Sequence, residues 1–146
     1  MIYFDTSYLV RLYYQDPGAD AVRALAATDH VACATHGQAE MMAAFHRKLR
    51  EGAIRPTAYA ALMGQLRAHI EAGAFQWLAQ DREIFLRIRH VYQKLPAAVF
   101  LRAADAIHLA TAAESGFRIV YSNDEHLLAA AKHFSIEGRN VIGNAI

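Results

Sequence analysis

The chain has 146 residues, 55% hydrophobic and 20% charged, with a formal net charge of +1, three prolines and eight glycines. These values exclude a disordered or low-complexity chain and suit one globular domain, residues 1–146, with enough apolar surface for a core. The lone Cys33 rules out an internal disulfide framework, and no uncharged run approaches the roughly 18 residues of a membrane span, so a cytoplasmic protein without membrane association is expected.

Ile2-Tyr3-Phe4 reads as a short buried strand that stops at Asp5 and is followed by Thr6-Ser7. Tyr8, Leu9, Leu12 and Tyr13 recur at helical spacing. Asp16-Pro17 breaks that helix and offers an N-cap, with proline at the first position of a second helix near residues 17–27. Val31–Thr35 is a second strand, leading into a long helix over about 36–51 with Met41, Ala44, Phe45 and Leu49 on one face. Gly52 and Pro56 punctuate the chain before another amphipathic helix through Tyr59, Leu62, Leu66 and Ile70. A strand at 75–78 precedes a helix that ends before Pro96, and a helix over about 102–114 stops at Gly116. Ile119–Tyr121 is a strand, Ser122-Asn123 starts a helix whose body is 127–134, and 140–143 closes as a final strand. Strands alternating with helices predict a three-layer α/β/α sandwich around a central, mostly parallel sheet of about five strands.

Charge is unevenly distributed along this layout. Residues 1–45 carry two cations against five acids, 46–102 carry ten against four, and 103–146 carry three against five, so a +6 middle separates −3 and −2 ends. Such a middle suits a phosphate-binding rim beside a carboxylate pocket, although ordinary solvated helix faces account equally well for any one cation.

Four acids stand apart from solvent-facing ones. Asp5 ends the first strand, Glu40 lies a turn into the helix after the second, and Asp124 follows the strand at 119–121. Asp105 interrupts the small apolar run Ala103-Ala104-Asp105-Ala106-Ile107, where a carboxylate needs a partner or a site to face. All four can converge on one sheet edge. Carboxylates gathered in one crevice repel unless a cation neutralises them, and hard oxygen donors without cysteine select Mg²⁺ or Mn²⁺.

Four blocks in order, Phe4-Asp5-Thr6-Ser7, Ala39-Glu40, Arg102 to Ala112 and Tyr121 to Ala131, carry a resemblance that runs nearly end to end. The chain resembles the PIN-domain nucleases and, within them, the VapC-type toxins of bacterial toxin–antitoxin pairs. Ser122-Asn123 stands where many relatives carry a threonine and then various residues; serine keeps the hydroxyl. The resemblance implies a metal-dependent endoribonuclease acting on single-stranded or loop RNA, with Asp5, Glu40, Asp105 and Asp124 binding one or two Mg²⁺ or Mn²⁺ ions. It also implies a cognate antitoxin and a homodimer, for which the helices near 8–14 and 36–72 are candidate surfaces. Thr6 or Ser7 is expected to orient Asp5, and Arg102, with Arg47, Lys48 and Arg50, is a candidate phosphate contact.

Other readings compete with these. Asp5 suits a helix cap, and Ser122-Asn123-Asp124-Glu125 contains a Ser-x-x-Glu capping box, compatible with metal binding at Asp124. His108 is expected to pack or to donate a hydrogen bond; no histidine pair has a zinc-helix spacing. A dehalogenase-type phosphotransferase would need an acid where Ser7 stands, and a receiver domain would need a lysine at a late strand end. The serious alternative is a PIN-like binding or scaffold module without turnover.

Overall fold

Among residues 1–143, which the computed structural model describes, the three apolar segments at Ile2–Phe4 (β1), Val31–Ala34 (β2) and Ile119–Tyr121 (β4) form the middle of a sheet. Gln76–Leu78 (β3) and Glu137–Arg139 (β5) complete it in the order β3-β2-β1-β4-β5. Every pairing is parallel, for example Tyr3 with Ala32 and with Val120, so the sheet is wholly rather than mostly parallel. Residues 144–146, the end of the expected domain, lie outside the described residues.

The helices are Thr6–Arg11 (α1), Ala19–Ala26 (α2), Gly37–Arg50 (α3), Pro56–Glu71 (α4), Arg82–Lys94 (α5), Ala103–Glu114 (α6) and Glu125–Ala130 (α7), the last continuing into a 3₁₀ turn, Ala131–Phe134. Because successive strand residues point to opposite faces, Tyr3 and Phe4 serve different cores. Tyr3 and Val120 pack with Leu109 of α6, Leu127 of α7 and Phe134. Phe4, Cys33 and Tyr121 pack with Leu9 of α1, Met41 and Phe45 of α3 and Leu66 of α4. Each large apolar side chain removed from water contributes about 1.5–3 kcal/mol, enough for strands of three or four residues to hold their register. No helix among the described residues is long and apolar enough to cross a membrane.

Three local expectations are corrected. The second helix is capped by Gly18 at φ 81°, not by Asp16, whose side chain instead holds the Lys48 ammonium at 3.1 and 3.2 Å. A Cβ at Gly18 would lie 2.4 Å from Ile142 as well as in the left-handed region, so the turn requires glycine. The N-cap of α7 is Asp124 rather than Ser122, and its helix is replaced by the tighter 3₁₀ turn after Ala130. The last strand is Glu137–Arg139 and not 140–143, where the Asn140 side chain accepts from Tyr8 Oη at 2.7 Å and from the Ile142 amide at 3.0 Å and turns the chain. That edge strand is polar, and it runs so close beneath α7 that a Cβ at Gly138 would lie 2.9 Å from Leu128 Cα.

Candidate functional site

Sequential strands run outward from β1 in one direction through β2 to β3, and in the other through β4 to β5. The order therefore reverses beside β1, and the crevice outside the carboxyl ends at such a switch point is where open parallel sheets take ligands. Asp5 leaves the end of β1 there, Asp124 follows β4, Glu40 lies in the first turn of α3, and Asp105 in the first turn of α6. All four line one cavity of about 220 Å³, together with Thr6, Ser7, Arg102 and His108.

Asp5 is 4% exposed, and no lysine or arginine pairs with it among the described residues. Its Oδ1 accepts from Ser7 Oγ at 2.6 Å and from the Tyr8 amide at 3.2 Å, so it is also the N-cap of α1. Oδ2 accepts from Ser122 Oγ at 2.5 Å. The two hydroxyls are themselves fixed, Ser7 Oγ by the Asn123 amide and Ser122 Oγ by the Asp124 amide, each at 2.9 Å. Burial pushes the Asp5 carboxyl above its ordinary value despite the charge on His108 and the bonds from Ser122 and Ser7.

Glu40 is held differently. Its Oε1 accepts from Thr6 Oγ1 at 2.9 Å and from His108 Nε2 at 2.5 Å. Thr6 thus orients Glu40, while Ser7 orients Asp5. A buried chain of hydrogen bonds stands behind Glu40: the Ala34 amide donates to Tyr3 Oη at 3.0 Å, Tyr3 Oη and His108 Nδ1 are bonded at 2.8 Å, and His108 Nε2–H donates to Glu40. Burial alone would raise the Glu40 pKa, but the hydrogen bond and charge of His108, with help from Thr6, hold it below the ordinary carboxyl value. Burial disfavours a charged His108, and Tyr3 and Cys33 beside it stay neutral because burial pushes both up; Glu40 is the partner that holds His108 above the usual histidine range.

Asp105 and Asp124 share a cation. Arg102 Nε donates to Asp105 Oδ2 at 2.9 Å, and another guanidinium nitrogen donates to Asp124 Oδ2. Asp124 Oδ1 accepts from the His126 and Leu127 amides at 2.8 and 3.1 Å, so this carboxylate caps α7 and faces the cavity with its other oxygen. Burial raises the Asp105 pKa, with Arg102 opposing.

Among the described residues the donor set fits a hard divalent cation: four carboxylates around one cavity, no cysteine lining it, one arginine against four acids, and a buried Asp5 without a cationic partner. His36, Glu40 and His108 also bring one ligand atom each within 4.8 Å of one another. There His36 Nε2 donates to the Ala104 carbonyl at 3.0 Å and His108 Nε2 to Glu40, so these nitrogens already serve hydrogen bonds. Sequence reasoning passed over Tyr3 and His36 as site residues; only the His36-x-x-x-Glu40 spacing, one helical turn, signals the latter.

A family model described as PIN domain matches residues 2–133. A search of curated proteins finds no match. Among solved structures, FitAcB from Neisseria gonorrhoeae aligns with a TM-score of 0.74 at 17% identity, over 94% of this chain and 96% of that one. VapBC2 from Rickettsia felis, bound to a DNA fragment from its promoter, gives 0.65 at 12%, over 96% and 98%. Mycobacterium tuberculosis VapC20, a sarcin-ricin loop cleaving toxin, gives 0.62 at 18%, over 89% and 95%. At these identities the likeness is one of fold.

Proposed function

Because this chain belongs to the PIN-domain family, we propose that it is a Mg²⁺- or Mn²⁺-dependent endoribonuclease, cleaving single-stranded or loop RNA as the toxin of a toxin–antitoxin pair. The observation that carries the reading is the gathering of Asp5, Glu40, Asp105 and Asp124 around one cavity, with Asp5 buried and without a cationic partner among the described residues. These four would hold the metal, which when bound supplies Lewis acidity towards water and the phosphodiester. The protein's own part is orientation. Ser7 and Ser122 fix both oxygens of Asp5, and Thr6 and His108 fix Glu40. Arg102, which bridges Asp105 and Asp124, would release them to a bound cation and would then offer a planar donor matched to a phosphate. No protein nucleophile is required.

The toxin role draws support from a structural neighbour described as a sarcin-ricin loop cleaving toxin. It brings with it a cognate antitoxin and a homodimer. A second reading, a PIN-like module that binds without turnover, is favoured by the pairing of Arg102 with two of the four carboxylates. Cleavage of a single-stranded RNA with Mn²⁺ or Mg²⁺ separates the two: the wild type cleaves, while Asp5→Asn and Asp105→Asn do not. Equal activity in all three proteins sinks the metal-nuclease reading.

A further inference from the structure

A second cavity, of about 340 Å³, adjoins the carboxylate cavity and shares Thr6 and Ser7 with it. Three cations line it, and two are already matched. Lys48 is held by Asp16 and lies 3.8 Å from the centre of the Tyr14 ring, and Arg47 pairs with Glu51 at 2.8 Å. The third, Arg11, has no carboxylate partner among the described residues. Its guanidinium is instead clamped by two main-chain carbonyls, Ser7 O at 2.7 Å and Pro17 O at 2.9 Å. Those bonds fix the group and use only part of its donor set, leaving a full positive charge and further N–H groups for an anion.

We propose that this cavity is a second subsite, in which Arg11 takes a backbone phosphate of a nucleotide flanking the cleaved bond. The inference rests on reading the carboxylate cavity as the cleavage site. A cavity ringed by four acids repels a polyanion, so the strand needs a fixed cation next to it. Ser7 ties the two cavities in one residue, its hydroxyl holding Asp5 and its carbonyl holding Arg11. An Arg11 clamp shifts with the α1 turn that carries the candidate metal ligand, which keeps the phosphate seat in register with the site. Lys48 and Arg47, neutralised by Asp16 and Glu51, shape the cavity without adding net charge, so Arg11 sets its sign.

The test is binding of a labelled single-stranded RNA oligonucleotide in the Asp5→Asn background, which removes turnover, over a series of salt concentrations. Arg11→Gln weakens binding about tenfold and lowers the slope of log K against log salt by about 0.7, the value for one phosphate contact on a single strand. Arg82→Gln, an exposed cation of α5 that lines neither cavity, changes neither quantity. Asp16→Asn, which releases Lys48 and leaves the Arg11 clamp intact, tightens binding and steepens the slope; it serves even where Arg11→Gln does not fold. Unchanged affinity and slope in Arg11→Gln, or in Asp16→Asn if only that variant folds, overturn the proposal. So does an Arg11 effect seen with a polyglutamate peptide and not with RNA, which assigns the cavity to a protein partner. Arg11-dependent RNA binding without cleavage by the wild type leaves the subsite standing and removes the nuclease reading; cleavage unaffected by Arg11→Gln does the reverse.

Discussion

Replacing Tyr3 by phenylalanine isolates the hydrogen-bond chain behind Glu40. The ring is completely buried and packs edge-on against Phe117 at 5.6 Å, and phenylalanine keeps that packing, so the change removes an oxygen and almost nothing else. Two buried groups then lose their partner, the Ala34 amide and His108 Nδ1. A buried donor or acceptor left unpaired costs about 1–3 kcal/mol, so the variant loses about 2–4 kcal/mol, part of the upper range being relieved as His108 reorients. With about 4 °C per kcal/mol for a chain of this length, the melting midpoint falls by about 8–16 °C. Urea unfolding at pH 7 measures the difference directly, with Tyr92→Phe as the control. Tyr92 Oη donates to the Leu101 carbonyl at 2.6 Å from a side chain that is 42% exposed, where water replaces the lost bond and the cost is about 0.5–1.5 kcal/mol. A Tyr3→Phe loss no larger than that of Tyr92→Phe refutes the buried chain from Ala34 through Tyr3 and His108 to Glu40.

Three further outcomes are expected. Asp5→Asn leaves the metal-free protein at pH 7 at least as stable as the wild type: burial holds the Asp5 pKa above its unfolded value of 3.8, so its ionised form opposes folding above the folded pKa and that penalty fades as pH falls towards 3.8. Urea midpoints across pH 7 to about 4 read this as a flatter profile in the variant, before Glu40, whose lowered pKa stabilises the fold above its unfolded 4.5, reverses the trend below that value; a variant less stable than wild type at pH 7 contradicts it. Arg102→Ala unpairs Asp105 and Asp124, lowering the metal-free melting midpoint and enlarging the upward shift produced by MnCl₂, because a competitor for the same oxygens is gone; an unchanged shift in a thermal melt counts against that competition. Gly37→Ala places a Cβ 2.6 Å from the buried Cys33 Sγ and costs about 1–3 kcal/mol, whereas Gly64→Ala, in the open interior of α4 with no atom within 4 Å, gains about 0.5–1 kcal/mol; denaturant midpoints of the two variants move in opposite directions.

The fold is legible in this sequence wherever an apolar period repeats. Tyr3 and Phe4 alternate onto two cores, and Met41 with Phe45 marks the inward face of α3, so strands and long helices stand where their patterns predict. The misplaced elements have polar or single-residue causes. Glu137-Gly138-Arg139 lacks any apolar alternation because it is an edge strand, whose central residue is chosen for a close approach to Leu128 rather than for burial. Val141 and Ile142, apolar enough to mimic a strand, are turned by the Asn140 side chain. Asp16-Pro17 has the chemistry of a cap, yet Asp16 is drawn to Lys48 across the fold, and the left-handed Gly18 takes the position instead.

At the site, the acids are legible because a carboxylate in an apolar run or at a strand end is expensive unless it has a task. Their supports are not, since Ser122 meets Asp5 across 117 positions and His108 meets Tyr3 across 105, distances at which only the folded sheet sets the pairing. That pairing divides four acids the sequence presents as equals. Glu40 is kept charged by His108 and Thr6, Asp105 and Asp124 are bridged by Arg102, and Asp5 is buried with hydroxyl and amide partners and, among the described residues, no cation paired with it. A charge held in such a place is disfavoured until another charge meets it, so a divalent ion taken up as proposed would gain most at Asp5 and least at Glu40, whose charge is already answered. Substituting the four acids one at a time therefore grades their effect on metal affinity, with Asp5 at the top of the order.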